Sequence, residues 1–128
     1  MVAPFWGPTL DCPEPLAPAE FYQRICGGEI AISQEHYAEL QLGSANLGCQ
    51  RDLNYRAPTW PDARMPQQCH LDFKAADLHA EELLAIAAGA TKTAVQPHPA
   101  VFRVFLDPAG HPFCLTTYGT EAGPPQSR

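Results

Sequence analysis

The chain has 128 residues, 45% of them apolar and 17% charged, which is enough for one globular domain with its own core and excludes a disordered segment. A net charge of −6 argues against nucleic acid, which needs a basic face, and favours a neutral or cationic ligand. No apolar run approaches the ~20 residues of a membrane span, and Met1 to Leu10 has no basic stretch and carries Pro4 and Pro8, so no membrane partner and no signal peptide are expected and the location reads as cytoplasmic.

The first strand is predicted over Pro8 to Asp11. A helix follows in which Phe21, Tyr22 and Ile25 form the apolar stripe and Gly27-Gly28 the stop. Three short strands come next, Glu29 to Ser33, Tyr37 to Leu42 and Ala45 to Gln50. Prolines 58 to 66 mark a connection, because proline interrupts helices and central strands. The strand Gln68 to Lys74 contains His70-Leu71-Asp72-Phe73, which alternates polar and apolar as a half-buried strand does. Asp77 is positioned to cap the second helix, with Glu81 and Glu82 near its positive end. Leu78, Leu83, Leu84, Ile86 and Ala87 form its expected stripe and Gly89 its stop. Three further strands are predicted over Thr91 to Gln96, Val101 to Leu106 and Pro112 to Thr117. Asp107-Pro108-Ala109-Gly110 makes the turn between the last two. Gly119 to Arg128 reads as a flexible tail.

The two halves repeat. Leu10-Asp11, Ala19-Glu20 and Gly28 each have a counterpart 61 residues further on, at Leu71-Asp72, Ala80-Glu81 and Gly89. Each half is therefore βαβββ. One such unit cannot cover both faces of its sheet, whereas two together make an α+β fold: a curved eight-stranded mixed sheet around a central pocket, with helices on the convex face. The five cysteines, Cys12, Cys26, Cys49, Cys69 and Cys114, are odd in number and hold no C-x-x-C pair. They read as buried apolar residues in a reducing compartment, not as a disulfide framework or zinc ribbon.

Particular words in the sequence carry a family resemblance. Asp107-Pro108-Ala109-Gly110-His111-Pro112-Phe113-Cys114-Leu115 resembles the closing motif of glyoxalase-like domains. Thr59-Trp60-Pro61 with Pro66-Gln67-Gln68-Cys69-His70-Leu71-Asp72 resembles the junction between their modules, and Ala19-Glu20-Phe21-Tyr22 the start of their first helix. The chain thus resembles the vicinal oxygen chelate superfamily, the glyoxalase and bleomycin-resistance group, over about residues 5–118. The resemblance implies one domain over 1–118, with module one at about 5–52, a linker at 53–66 and module two at 67–118. It also implies a homodimer and a small-molecule ligand or substrate.

Enzymes of this superfamily hold a divalent metal with His and Glu from the inner strands, a donor set that suits first-row metals. Position by position, the second-module His matches His70 and the closing Glu falls on Cys114. The first-module His falls on Gly7 or Thr9, and the first-module Glu near Gly48 or Gln50, with Glu39 a further candidate. One ligand of four is present. No metal or other cofactor is therefore expected, a divalent metal through His70 being the exception that would need an unconventional ligand set.

Strand alternation sorts the remaining candidates. His70, Asp72, Cys114 and Thr116 share one face, opposite Leu71, Phe73, Phe113 and Leu115. Tyr37, Glu39 and Gln41 share a face opposite Leu40 and Leu42. Asn46, Gly48 and Gln50 face away from Leu47 and Cys49, and Thr9 and Asp11 complete the polar set. In one reading His70 is a general acid or base fixed by Asp72 or a nearby carbonyl, and Cys114 is its thiolate partner if His70 lowers its pKa. The protein is then a metal-free lyase or isomerase. The plainer alternative for Cys114 is an inert thiol. In the other reading the pocket only sequesters an antibiotic or other natural product. Trp6, Tyr37, Trp60 and Phe102 then give aromatic surface, and Asp11, Glu39 and Asp72 attract a cation. Thr9, Tyr37, Glu39, Gln50, Trp60 and Phe102 are accordingly the candidate ligand-binding residues. Trp60 has a structural alternative, packing between its prolines. A domain whose pocket is vestigial is the third possibility.

Overall fold

Proline and glycine cut the chain into short elements, which the computed structural model describes over residues 2–120. Residues 121–128 of the expected tail lie outside the described residues. The chain divides into two units, 1–56 and 57–128. Each contains the predicted βαβββ order, so the architecture is α+β with two four-stranded mixed sheets.

In the first unit, β1 (Thr9–Cys12) leads into α1 (Leu16–Cys26). Then come β2 (Glu29–Ser33), β3 (Tyr37–Gln41) and β4 (Asn46–Arg51), in the sheet order β1-β4-β3-β2. The helix crossover makes β1 parallel to β4, whereas the short connections make β2, β3 and β4 antiparallel. Helix α1 packs on β2, β3 and β4 through Ala19, Phe21 and Tyr22, all fully buried with Leu40 and Cys49 of the sheet. It ends at Gly27, whose φ of 78° lies in the region open to glycine. A Cβ on the following Gly28 would strike the Gln41 carbonyl.

In the second unit, β5 (Leu71–Lys74) is followed by α2 (Leu78–Ala88), β6 (Thr91–Lys92), β7 (Phe102–Leu106) and β8 (Pro112–Thr116). The order is β5-β8-β7-β6, with β5 parallel to β8. Phe113 anchors the core, stacked on Phe105 at 5.5 Å and edge-on to Phe73 at 5.9 Å. The Asp77 carboxylate caps α2 by accepting from the Ala80 N–H, and the Glu81 carboxylate reaches back to the Asp77 N–H. The Asp107 carboxylate closes the β7–β8 turn by accepting from the Ala109 and His111 N–H groups.

Four expectations need correction. Cys26 and Cys69 are exposed, so only Cys12, Cys49 and Cys114 are the buried residues expected of all five. Strand β5 begins at Leu71 instead of Gln68. Strand β6 covers two residues instead of Thr91 to Gln96. Beyond it the Gln96 side chain takes over, its amide accepting from the Val104 N–H at 2.8 Å and donating to the Val104 carbonyl at 2.8 Å, as a paired peptide would. The stripe on α2 is also misassigned, since Leu83, Leu84 and Ile86 are 56%, 69% and 44% exposed while Leu78, Glu82 and Ala85 are buried. Glu82 decides the rotation. Its Oε1 lies 3.0 Å from Lys92 Nζ on β6 and 3.2 Å from a guanidinium nitrogen of Arg103 on β7. Burial opposes its charge, but the two cations outweigh that and hold its carboxyl below the usual range. An apolar count along the helix cannot register a partner supplied by distant strands.

Candidate functional site

In the second unit, residues one and three of the His70-Leu71-Asp72 run stand on the same side of the sheet. The parallel register sets Asp72 directly beside Cys114 on the central strand β8. His70 Nε2 lies 3.3 Å from Asp72 Oδ1. The donor atoms of His70, Asp72 and Cys114 all lie within 4.8 Å of one another. They form one wall of a cavity of about 700 Å³, together with Thr116. Trp60, Pro97, Phe102 and Val104 supply the apolar surface, and Lys74 and Tyr118 also line it. Trp60 and Pro61 are joined by a cis peptide bond. Gln67 turns its amide oxygen into this region, buried and with no hydrogen-bond partner among the described residues.

Cys114 differs from the thiolate the sequence allowed. Burial pushes its thiol up to about 12, and the Asp72 carboxylate adds to this by its charge and by accepting the thiol's hydrogen bond. The immediate partner of the sulfur is thus an acid and not His70, and it keeps the proton on.

The other candidates belong to the first unit. Tyr37 donates its hydroxyl to Glu39 Oε1 at 2.9 Å, and Trp6 Nε1 donates to the same oxygen at 3.0 Å. Glu39 is only 5% exposed, and these two donors satisfy the oxygen they share. Thr9 hydrogen-bonds the Tyr37 hydroxyl, whose pKa is raised by burial first and by Glu39 second. Gly48 leaves the space for this chain of contacts, because a Cβ there would meet Thr9 Oγ1 and the Tyr37 hydroxyl at 2.7 Å each. Gln50 is exposed and pairs in register with Asp11 and Tyr37.

His70, Asp72, Cys114, Trp60 and Phe102 therefore share one pocket. Thr9, Tyr37 and Glu39 share a hydrogen-bonded cluster in the other unit, with Gln50 on the same sheet. Sequence reasoning overlooked Lys74, which alternation places on the face of His70 and Asp72. It also overlooked Gln67 and Tyr118, which lie outside the strands where periodicity carries no signal.

The divalent metal implied by the family resemblance can be tested against the donors present. In the first unit Thr9, Gly48 and Gln50 stand at the expected positions, and hydrogen bonding among Thr9, Tyr37 and Glu39 occupies that region. In the second unit an imidazole, a carboxylate and a sulfur converge. Three such donors fit a borderline metal such as zinc, with a position left open.

Residues 8–116 match the glyoxalase-like domain family, and the chain belongs to it. That match bears out the family resemblance read from the sequence, and solved structures share the fold. The fosfomycin resistance protein FosX of Mesorhizobium loti is 14% identical, with 94% of this chain and 95% of that one covered at a TM-score of 0.68. A mutant of FosX from Listeria monocytogenes, solved with Mn(II) and a dihydroxypropylphosphonic acid, is 15% identical, with 94% and 97% covered at 0.70. A glyoxalase family protein of Enterococcus faecalis is 21% identical, with 86% and 94% covered at 0.64. No curated protein sequence matches the chain. No helix among the described residues is long and apolar enough to cross a membrane.

Proposed function

We propose that the second-unit cavity binds a small neutral or cationic molecule, with its apolar body on Trp60, Phe102 and Val104 and its polar group on His70, Asp72 and Thr116. One observation carries this reading: a cavity of about 700 Å³ sets an aromatic and aliphatic surface beside a row of polar side chains. That is the pairing a small-molecule site needs for affinity and orientation. When the pocket acts without a metal, Asp72 holds the His70 ring at 3.3 Å, and His70 moves a proton on the bound molecule as in a lyase or isomerase. Cys114 then serves as a neutral wall. The second reading is a non-catalytic protein that sequesters an antibiotic or other natural product. The resistance proteins among its structural neighbours favour it. Dimerisation and a cytoplasmic location belong to the same proposal, as does a single domain over residues 1–118.

The test is a thermal-shift and fluorescence screen of neutral and cationic aromatic natural products, run with a chelator present. A compound at about a hundred times its Kd adds about 2.7 kcal/mol to stability, a shift of several degrees. The stabilisation is expected to vanish in Trp60→Ala and Phe102→Ala. No stabilising compound, or shifts indifferent to both substitutions, would reduce the cavity to a vestige. Turnover of a hit, lost in His70→Gln with binding retained, separates catalyst from binder.

A further inference from the structure

The geometry points to a metal site contained in one module, in which His70, Asp72 and Cys114 hold a borderline divalent ion such as zinc or cobalt(II). It shares its location with the pocket proposed above and goes beyond that reading by assigning the polar wall a resident ion. Two of the three donors, the Asp72 carboxylate and the Cys114 sulfur, are absent from the His and Glu set that the family resemblance implies. All three come from β5, the residue before it, and β8, so the site needs no ligand from the first unit.

The fold brings the three together for reasons independent of any metal. His70 and Asp72 are two apart on an extended segment and share a face. Asp72 and Cys114 are partners in the parallel register, which fixes their side chains next to each other. A tetrahedral ion with bonds of 2.0–2.3 Å needs its donors about 3.5 Å apart. The observed 3.3 Å between His70 and Asp72 already meets this, and the full set within 4.8 Å reaches it by side-chain rotation. The sulfur sits on the central strand and is 6% exposed, whereas His70 and Asp72 lie toward solvent. The ion would thus have one deep soft sulfur donor and, nearer solvent, a borderline imidazole and a hard carboxylate, with its fourth position toward the cavity. Binding replaces the thiol proton, which leaves to water. A sulfur donor selects zinc or cobalt(II) over manganese(II), which prefers oxygen. In the loaded protein His70 is a ligand, so metal occupancy and proton transfer by the same ring nitrogen exclude one another.

Cobalt(II) gives a readout free of any substrate. Chelator-treated full-length protein carrying Cys26→Ser and Cys69→Ser, which removes the two exposed thiols, would be titrated with cobalt chloride. We expect saturation at one equivalent, with a near-ultraviolet sulfur-to-cobalt band and visible bands of four-coordinate intensity. Cys114→Ser is expected to abolish the near-ultraviolet band, and Asp72→Asn and His70→Gln to weaken binding roughly tenfold or more, a loss of the size seen when support of a metal site is removed. Zinc should displace the cobalt and manganese(II) should not. Unchanged circular dichroism of each variant separates lost ligation from misfolding. No saturable binding, or a sulfur band that survives Cys114→Ser, would overturn the assignment. The ligand screen above is run with chelator, so either idea can fail without the other.

Discussion

Replacing Gly48 by alanine tests whether the polar cluster of the first unit is a packed device or a loose collection of surface groups. The new methyl would stand 2.7 Å from Thr9 Oγ1, 2.7 Å from the Tyr37 hydroxyl and 3.0 Å from Tyr37 Cε1. All three are well inside ordinary contact. Thr9 can rotate away at little cost. The Tyr37 ring is held at its base by β3, so its hydroxyl must retreat and stretch the 2.9 Å bond to Glu39. Glu39 is 5% exposed, and its Oε1 would be left with the indole N–H of Trp6. Overpacking costs about 1–3 kcal/mol, and a lost hydrogen bond to a charged group about 1.5–3 kcal/mol. The better backbone entropy of alanine returns up to about 1 kcal/mol. The net expectation is a loss of about 2–4 kcal/mol, or roughly 10 °C in melting temperature. Urea denaturation followed by tryptophan emission and circular dichroism measures it. Tyr37→Phe should cost less in the Gly48→Ala background than alone, because the hydroxyl has already been displaced. A loss under about 0.5 kcal/mol, or strict additivity of the two substitutions, would refute the argument.

The pH dependence of stability offers a check on Cys114. Its thiol is ordinary, near 9.0, in the unfolded chain and about 12 in the folded one. Below pH 9 both states hold the proton. Between the two values the unfolded state releases it first, so stability should fall as pH rises through this window. The fall should be smaller in Cys114→Ala and in Asp72→Asn, as read from denaturation midpoints at several pH values. Glu82 has the opposite sign. Its folded carboxyl lies below the usual 4.5, so its contribution is present above that pH and is lost on acidification. Glu82→Gln should cost about 1–3 kcal/mol at neutral pH, toward the lower end because the Lys92 side chain is 39% exposed and screened. It should also flatten the acid limb, and an unchanged limb would mean that the two cations do not hold the helix.

The duplicated βαβββ order was legible because its signals are local. Alternation marks strands, glycine ends helices, and a common spacing ties the halves together. The shared face of His70 and Asp72 was legible for the same reason, since a period of two is a property of the backbone and not of the surroundings. What escaped was set by partners distant in the chain. The rotation of α2 depends on Lys92 and Arg103, so its most apolar residues are not its buried ones. The state of Cys114 depends on which of two polar neighbours stands beside it, and strand register chose Asp72. Glu39 looked like a lure for a cation. Its nearest partners proved to be Tyr37, two residues away on the same face, and Trp6, from a segment with no periodicity to read.

The side chain of Gln96 also bears on how this chain avoids other chains. Where β6 stops after Lys92, the Val104 carbonyl on the outer rim of β7 still accepts from the Thr93 N–H and hydroxyl, but the Val104 N–H would face any passing strand, as an open sheet edge does. The Gln96 amide occupies both groups, so one residue plugs the rim without extending the sheet and without offering a fresh rim of its own.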